Sequence, residues 1–426
     1  MSIVTKKITS FVSALKGKGA VAIVTGNFLT KAAAFLGSIV LVRLMAKSDY
    51  GVLSSLENVY TYLYLLAGLG LNNAVLRWMV LKDTSSEKRG ILDYAVTSGT
   101  AVNVVLVIGA VIGVCLAGNS FSNFYYLLPL MMIALPFHFL LDTGTFSLRA
   151  LFRNRAFAIL SVGAILFVWL TKIIGATSFG LIGVILSWPV AYFVIAAVVL
   201  CYLYFGIFRN IKGAPITRAE KRAMKRYSVQ YMITNGMWAL FIQNDLLMIG
   251  LITGSADSVA DYKVASVFPM VLALLSSSIG MFAGPYFIKH ENNKSWVWLN
   301  YKRVLMVSVG VIGVAALLLA LLAEPLVLLV YGEQYANIVP LMIILLVGSV
   351  INNGVRYASA NLIAAMGRIK ANMVIAFCGI CAQIAFNFLF ISEFGVYGAA
   401  ITGIVVQLGM AIAVTVYFAK TFRAVR

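Results

Sequence analysis

The chain has 426 residues, 62% of them hydrophobic and only 11% charged, with 33 Lys and Arg against 14 Asp and Glu and a net charge of +19. Soluble domains carry roughly 25% charged residues, so this composition excludes an ordinary soluble protein and points to a chain threaded through lipid. The positive excess then reads as loops facing an anionic leaflet rather than as a nucleic-acid footprint.

A bilayer crossing needs ~20 apolar residues, and twelve stretches meet that length: 20–42, 53–80, 91–117, 123–148, 156–174, 179–205, 228–252, 259–287, 304–330, 337–364, 371–391 and 396–419. The first is too long for a signal-peptide core and lacks an obvious cleavage site, so it is expected to remain as span one. It carries Asn27 and Lys31, one turn apart. Span two carries Glu57 near its start, Tyr60, Tyr62 and Tyr64 at alternate positions, and Asn73 and Arg77 one turn apart. Span four holds Pro136, His138 and Asp142. Span six holds Pro189, and a basic stretch with Pro215 follows at 206–227. Span seven brings Trp238, Phe241, Gln243, Asn244 and Asp245; span eight has Pro269; span ten has Asn352 and Arg356. The prolines are expected to kink their helices, because each removes a donor and frees a carbonyl.

Charge inside a bilayer is costly and usually faces a cavity or a partner. Residues four apart share a helix face, so Asn27/Lys31, Asn73/Arg77 and Asn352/Arg356 each form a stripe of amide plus cation suited to a phosphate or to sugar hydroxyls. The competing reading of each is a structural ion pair or a side chain snorkelling to the interface, which is easiest for Arg77 at the end of its span. His138 and Asp142 suit a proton relay, unless Asp142 simply neutralises Lys31 or Arg356. Asp245 suits a cation or a basic partner, and Glu57 is expected to be solvated at the outer mouth. Tyr60, Tyr64 and Trp238 suit stacking on sugar rings, or plain packing. The four cysteines, Cys115, Cys201 and the Cys378-x-x-Cys381 pair, are expected to be buried small residues. No phosphate loop, potassium filter, zinc-protease or nucleophile-elbow motif occurs. No cofactor and no metal site is expected.

Basic residues cluster in alternate gaps: Lys6, Lys7, Lys16 and Lys18; Lys82, Lys88 and Arg89; Arg149, Arg153 and Arg155; seven cations between Arg209 and Arg226; Lys289, Lys294, Lys302 and Arg303; Arg368 and Lys370; Lys420, Arg423 and Arg426. The opposite side receives Arg43, Lys47 and Lys172, with Lys263 at a helix entrance. Such a bias places the basic gaps, and with an even number of spans both termini, in the cytoplasm.

Short motifs recur at a nearly constant offset. Phe179-Gly180-Leu181-Ile182-Gly183 opens span six and Phe394-Gly395-Val396-Tyr397-Gly398 opens span twelve. Ala150 to Ala156 is echoed by Ala365 to Ala371, and Asp49-Tyr50-Gly51-Val52 by Asp261-Tyr262-Lys263-Val264. The pattern predicts duplication of a six-span unit. The expected division is an N-terminal bundle at 1–205, a basic cytoplasmic linker at 206–227 and a C-terminal bundle at 228–426. Six is even, so the repeats run parallel, an arrangement in which transporters bind substrate between the halves.

Ile39-Val40-Leu41-Val42-Arg43-Leu44 followed by Asp49-Tyr50-Gly51 resembles the end of the first span in polysaccharide-lipid flippases. Gly68-Leu69-Gly70-Leu71 followed by Arg77 is similar to their second span, and Asp245 and the two Phe-Gly-x-x-Gly openings also match. That family lies in the multidrug/oligosaccharidyl-lipid/polysaccharide exporter superfamily, and the resemblance covers essentially the whole chain. It implies an all-α integral membrane protein of 12 transmembrane helices, in two six-helix bundles related by a parallel repeat, V-shaped with a central cavity. It implies a flippase of the bacterial inner membrane moving undecaprenyl-pyrophosphate-linked oligosaccharide repeat units outward, for O-antigen, capsule or a similar polymer. Lys31, Arg77 and Arg356 would then contact the anionic head group, and Asp142 and Asp245 would couple transport to H⁺ or Na⁺. Partners would be the lipid-linked oligosaccharide, membrane lipid, and polymerase and chain-length proteins of the same pathway. The alternatives are a multidrug/cation antiporter of the same superfamily, a peptidoglycan-precursor flippase, which usually has two more spans, and a membrane-embedded enzyme, for which no polar catalytic cluster is evident.

Overall fold

The computed structural model describes residues 20–117, 125–366 and 369–422, and among these there is no β-strand. Helices are what a lipid-threaded chain requires, since every backbone N–H and C=O must be satisfied within the segment. All twelve expected spans overlap helices. They are α1 (Ala20–Leu44), the pair α2 (Lys47–Leu65) and α3 (Leu71–Val80), α4 (Ser85–Ala117), α5 (Leu128–Met132) with α6 (Ala134–Ala150), and α7 (Asn154–Cys201). Then follow α8 (Arg218–Thr253), α9 (Ala256–Ala265) and α10 (Val267–Lys289), α11 (Lys294–Leu321) and α12 (Ala323–Tyr331). The last are α13 (Val339–Ser349), a π-helix (Val350–Tyr357) and α14 (Ala358–Ala365), then α15 (Ile369–Phe394) and α16 (Val396–Phe422). Among the described residues, 8 helices are long and apolar enough to cross a membrane, or 9 if the bent α2–α3 pair is one span.

The breaks follow local chemistry. Between α2 and α3, Gly68, Leu69 and Gly70 all have positive φ, which bends the pair by 44°. The amide of Gly68, freed by that break, donates to the buried Asn103 Oδ1 at 2.9 Å. Pro136 and Pro269 each lie just past a helix interruption, at Ile133 and Ser266, while the helix runs on through Pro189. The carbonyl of Pro269 is occupied by the Ser349 hydroxyl at 3.0 Å.

At 48 residues α7 would measure ~70 Å if straight, more than twice the ~30 Å hydrocarbon core. It is two crossings folded at Phe179–Gly180, where Gly180 takes φ 58 and ψ −138, a conformation closed to residues with a Cβ. The arms then touch: a Cβ on Gly183 would lie 2.1 Å from the carbonyl oxygen of Gly175. The same hairpin joins α15 to α16. Gly395 has φ 57, and a Cβ on Gly398 would lie 2.0 Å from the carbonyl oxygen of Phe390. One motif thus makes one turn at equivalent places in the two parts of the chain.

The chain divides into two compact units, Met1–Ala46 with Leu56–Trp238, and Lys47–Ser55 with Ala239–Arg426. In the first, α1 packs on α7 through Gly26 against Ala158 and Gly37 against the Trp169 ring. Its core gathers Val75, Met79, Leu148, Val199 and Leu203. Of the 206–227 stretch, residues from Arg218 onward are helical, as the start of α8. The chain before it is strapped to the start of α4, where Ala214 N donates to Ser86 O at 2.9 Å and Ser86 Oγ donates to Lys212 O at 2.7 Å; beside it, Glu220 at the start of α8 pairs with Lys82 at 2.6 Å, which also pairs with Glu87 at 3.3 Å. In the second unit the core forms around Tyr301, stacked on Phe418 at 3.7 Å, with Phe287, Val297 and Ile363.

The cysteines correct an expectation. Cys115, Cys201, Cys378 and Cys381 are free and exposed rather than buried. They share the outer helix faces with apolar side chains such as Leu116, Ile159 and Phe205, the faces a bilayer covers, where a thiol behaves as a small hydrophobe.

Candidate functional site

In the first unit one face of α2 carries Glu57, Tyr60 and Tyr64 at helical spacing, and α6 and α7 bring partners to each. The Lys172 ammonium lies 3.0 Å from Glu57 Oε1 and sits over the rings of Trp188 at 4.3 Å and Trp169 at 4.7 Å. Tyr60 OH is 3.2 Å from His138 Nδ1, and its ring meets Trp188 edge-on at 4.8 Å. The Tyr64 hydroxyl donates to Asp142 Oδ2. The His138 ring is sandwiched between Tyr64 at 4.0 Å and Tyr192 at 4.2 Å. The expected His138/Asp142 pair is therefore one end of a longer file of acids, phenols and rings.

Two expectations change here. Glu57 is not simply solvated, because a buried cation holds it. Lys172, expected among the charges of an outer gap, is 5% exposed and takes up that role. Tyr60 is 2% exposed, with its ring covered by its neighbours. Tyr64 spends its hydroxyl on Asp142 and one face on His138.

The cations of this unit are placed differently. On α1, Gly26 and Gly37 mark the face against α7, and Lys31 falls about 140° around the helix from Gly26 at 100° per residue. It is exposed. The side chain of Asn27 lies outside the described residues. Arg77, also exposed, stacks its guanidinium over Tyr227 at 5.0 Å and Trp78 at 5.7 Å. Asn73 does not join it: its amide nitrogens donate to Asn72 Oδ1 at 2.9 Å. The ion pairs among the described residues join Lys47 to Asp261, Lys82 to Glu87 and Glu220, Arg89 to Asp93, and Lys172 to Glu57. Neither Lys31 nor Arg77 is in them.

In the second unit Asn352 and Arg356, the third pair, are hydrogen-bonded to each other. Arg356 is buried and its Nε donates to Asn352 Oδ1. Both sit on the π-helix Val350–Tyr357, a wide-turn geometry that recurs at functional sites. Its neighbour Asn353 is held by Ser349 at 2.8 Å through its amide and by Ser276 at 2.7 Å through its carbonyl.

Asp245 on α8 is caged by neutral donors. Tyr262 OH reaches Oδ2 at 2.8 Å, while Gln383 Nε2 and Asn387 Nδ2 reach Oδ1 at 2.7 and 2.8 Å. Gln383 Oε1 and Asn387 Oδ1 are buried and have no hydrogen-bond partner among the described residues. No group of three or more His, Cys, Asp or Glu side chains placed to hold a metal ion occurs among the described residues. The side chain of Trp238 lies outside the described residues. Lys172, Trp188, Tyr192, Gln383 and Asn387 were not anticipated as site residues.

A family model described as "Polysaccharide biosynthesis protein" matches residues 17–291. The chain belongs to that family. An uncharacterized membrane protein of Methanocaldococcus jannaschii is 24% identical over 226 residues, covering 50% of this chain and 44% of that relative, so the chain matches less than half of its curated relative's length. Among solved structures, the lipid II flippase MurJ in an inward closed conformation superposes with a TM-score of 0.72 at 14% identity, covering 95% of this chain and 88% of that one. An inward-facing multidrug resistance MATE transporter gives 0.69 at 13%, covering 92% and 94%. A MOP superfamily transporter from Pyrococcus furiosus gives 0.60 at 11%, covering 96% and 95%. This member of the polysaccharide biosynthesis family therefore has the all-α membrane fold of the MOP superfamily.

Proposed function

We propose that the protein is a flippase carrying undecaprenyl-pyrophosphate-linked oligosaccharide repeat units, for O-antigen, capsule or a similar polymer, outward across the bacterial inner membrane by alternating access. One observation carries this reading. Glu57 is neutralised by Lys172, and Asp142 and Asp245 are met by hydrogen-bond donors, whereas Lys31 and Arg77 enter none of the ion pairs among the described residues. A cation exposed on an apolar span is unfavourable against lipid and favourable against a pyrophosphate. Lys31 and Arg77, with Arg356 and Asn352 on the π-helix, and Asn27 and Asn73, are the proposed head-group contacts. A glycan head cannot cross hydrocarbon with its hydroxyls unsatisfied, and a protein path lined by amides and cations supplies partners while the lipid tail stays in the bilayer. Outward movement of negative charge also gains ~2.3 kcal/mol per charge per 100 mV of outside-positive potential. Family membership and the lipid-linked cargo named for MurJ support the substrate class.

The Asp245 cage is the proposed coupling site. A carboxylate beside two unpartnered amide oxygens is an oxygen-rich set suited to Na⁺ or H⁺. His138 and Asp142 form the second candidate, with a proton as the ion. The Lys/Arg bias supports cytoplasmic termini.

The test is a strain lacking the gene. Undecaprenyl-linked oligosaccharide should accumulate on the cytoplasmic face, and the wild-type protein, but not Lys31→Ala, should restore outward delivery. Full rescue by Lys31→Ala removes the anion-contact proposal. No accumulation, together with new drug sensitivity, replaces the flippase with a cation antiporter.

A further inference from the structure

Where α10 ends and α11 begins, the second unit has an open groove enclosing about 710 Å³, within the range of small-molecule sites, ~300–1,000 Å³. Its walls include Ile279, Ala283, Tyr286, Val304 and Val307, and Asn300 and Arg303 add an amide and a cation to its lining. At one end Trp296 is stacked on His290 at 4.2 Å and edge-on to Phe287 at 5.5 Å. Amphipathic indoles of this kind mark the membrane–water interface. From Trp296 to Val307 the α11 face runs ~16 Å at 1.5 Å per residue, about the depth of one leaflet of a ~30 Å hydrocarbon core.

The charge is one-sided. Lys289, Lys294, Lys302 and Arg303 are exposed around the groove's interfacial end, against Glu291 alone as an acid in that stretch. None of the four takes part in an ion pair among the described residues. The Arg303 guanidinium leans back one turn toward the interface, its Nη1 3.4 Å from Asn300 Oδ1. A guanidinium carries five N–H donors, and its planar fork is well shaped for a phosphate.

We propose that this groove binds one anionic glycerophospholipid. Its phosphate is held by Arg303 and Asn300 in the field of Lys289 and Lys294, and one acyl chain lies along Val304, Val307, Ile279 and Ala283. Charge complementarity selects an anionic head group, and a groove one leaflet deep matches an acyl chain rather than a much longer polyprenyl tail. The inference stands apart from the identity of the transported molecule.

Native mass spectrometry of the purified full-length protein, titrated with phosphatidylglycerol and separately with phosphatidylcholine, tests it. Phosphatidylglycerol should be retained preferentially. Arg303→Gln should weaken its retention about fivefold, the effect of one basic group at an anionic head group. Val307→Trp, which fills the apolar end at an exposed position, should weaken both lipids, and Arg149→Gln, on a helix of the other unit, should change neither. Phosphatidylglycerol should also raise the unfolding midpoint of the wild type more than that of Arg303→Gln. Equal retention of the two lipids, unchanged retention in Arg303→Gln, or displacement of phosphatidylglycerol by a polyprenyl phosphate at equal concentration would each overturn the proposal.

Discussion

The two units partner their carboxylates in contrasting ways. In the first, Glu57 has a full counter-charge in Lys172, screened from lipid by two tryptophans. In the second, Asp245 has three neutral donors, and two amide oxygens beside it have no partner among the described residues. A paired charge in low dielectric is balanced and stays put, whereas one ringed only by dipoles still attracts a cation. The first arrangement suits structure and the second suits an exchangeable ion.

The largest effect expected from this contrast is on transport. Asp245→Asn should lower ion-driven flipping at least tenfold in reconstituted vesicles while leaving the unfolding midpoint nearly unchanged; normal gradient-driven flipping in that variant would place coupling elsewhere. Lys172→Met should do the opposite, acting on stability. Breaking a fully buried pair costs ~3–5 kcal/mol, and because the Glu57 side chain is 24% exposed the expected loss is smaller, about 2–3 kcal/mol. The double variant Glu57→Leu/Lys172→Met should recover most of it, as read by thermal unfolding in detergent. If the double variant is no better than the single, the pair does not act as a balanced unit.

Smaller effects sharpen the comparison of the two hairpins. Gly183→Ala and Gly398→Ala each force a Cβ against a carbonyl oxygen and should cost similar amounts, about 1–3 kcal/mol. Unfolding midpoints that differ widely between the two would show that the turns carry unequal loads. The smallest effect concerns the strap at the start of α4. The hydrogen bond to Glu220, chiefly, holds the Lys82 ammonium above its ordinary pKa. Because the folded value lies above the unfolded one, ~10.4, the contribution is complete below that pH and fades only as pH rises through the raised value. Lys82→Gln should therefore lower the midpoint slightly and equally from pH 6 to 9, with the difference from wild type closing only in strong base.

The sequence was most readable where neighbours along the chain decide the outcome. Phe-Gly-x-x-Gly marked the openings of spans six and twelve, where both hairpins turn, and Asn352 and Arg356 are bonded one turn apart, whereas the bend at Gly68-Leu69-Gly70 fell inside a stretch read as one span. It was least readable where partners come from afar. Tyr64 and Asp142 are 78 positions apart, Lys172 and Glu57 115, and Asn387 and Asp245 142. Lys172 reads as a loop charge because it ends an apolar run, and only the packed fold shows which way its side chain turns. Gln383 and Asn387 did leave a signal: two amides one turn apart in an otherwise apolar span, the same pattern that singled out the Asn/cation stripes. In the sequence Tyr262 stands out only as part of the internal echo, and its hydroxyl is one of the three donors on Asp245.

The two glycine hairpins also bear on how such a chain enters its membrane. A turn with no loop residues to spare leaves almost no chain between the first arm and the second while the second is still being made. Each pair is then best released into lipid as a single folded package, its arms already in contact through Gly175 and Gly183, or through Phe390 and Gly398. Reporter fusions or epitope tags placed at residues 179–180 or 394–395 would pry such a package open during synthesis, so topology mapping of this chain belongs at the longer connections, such as 206–217.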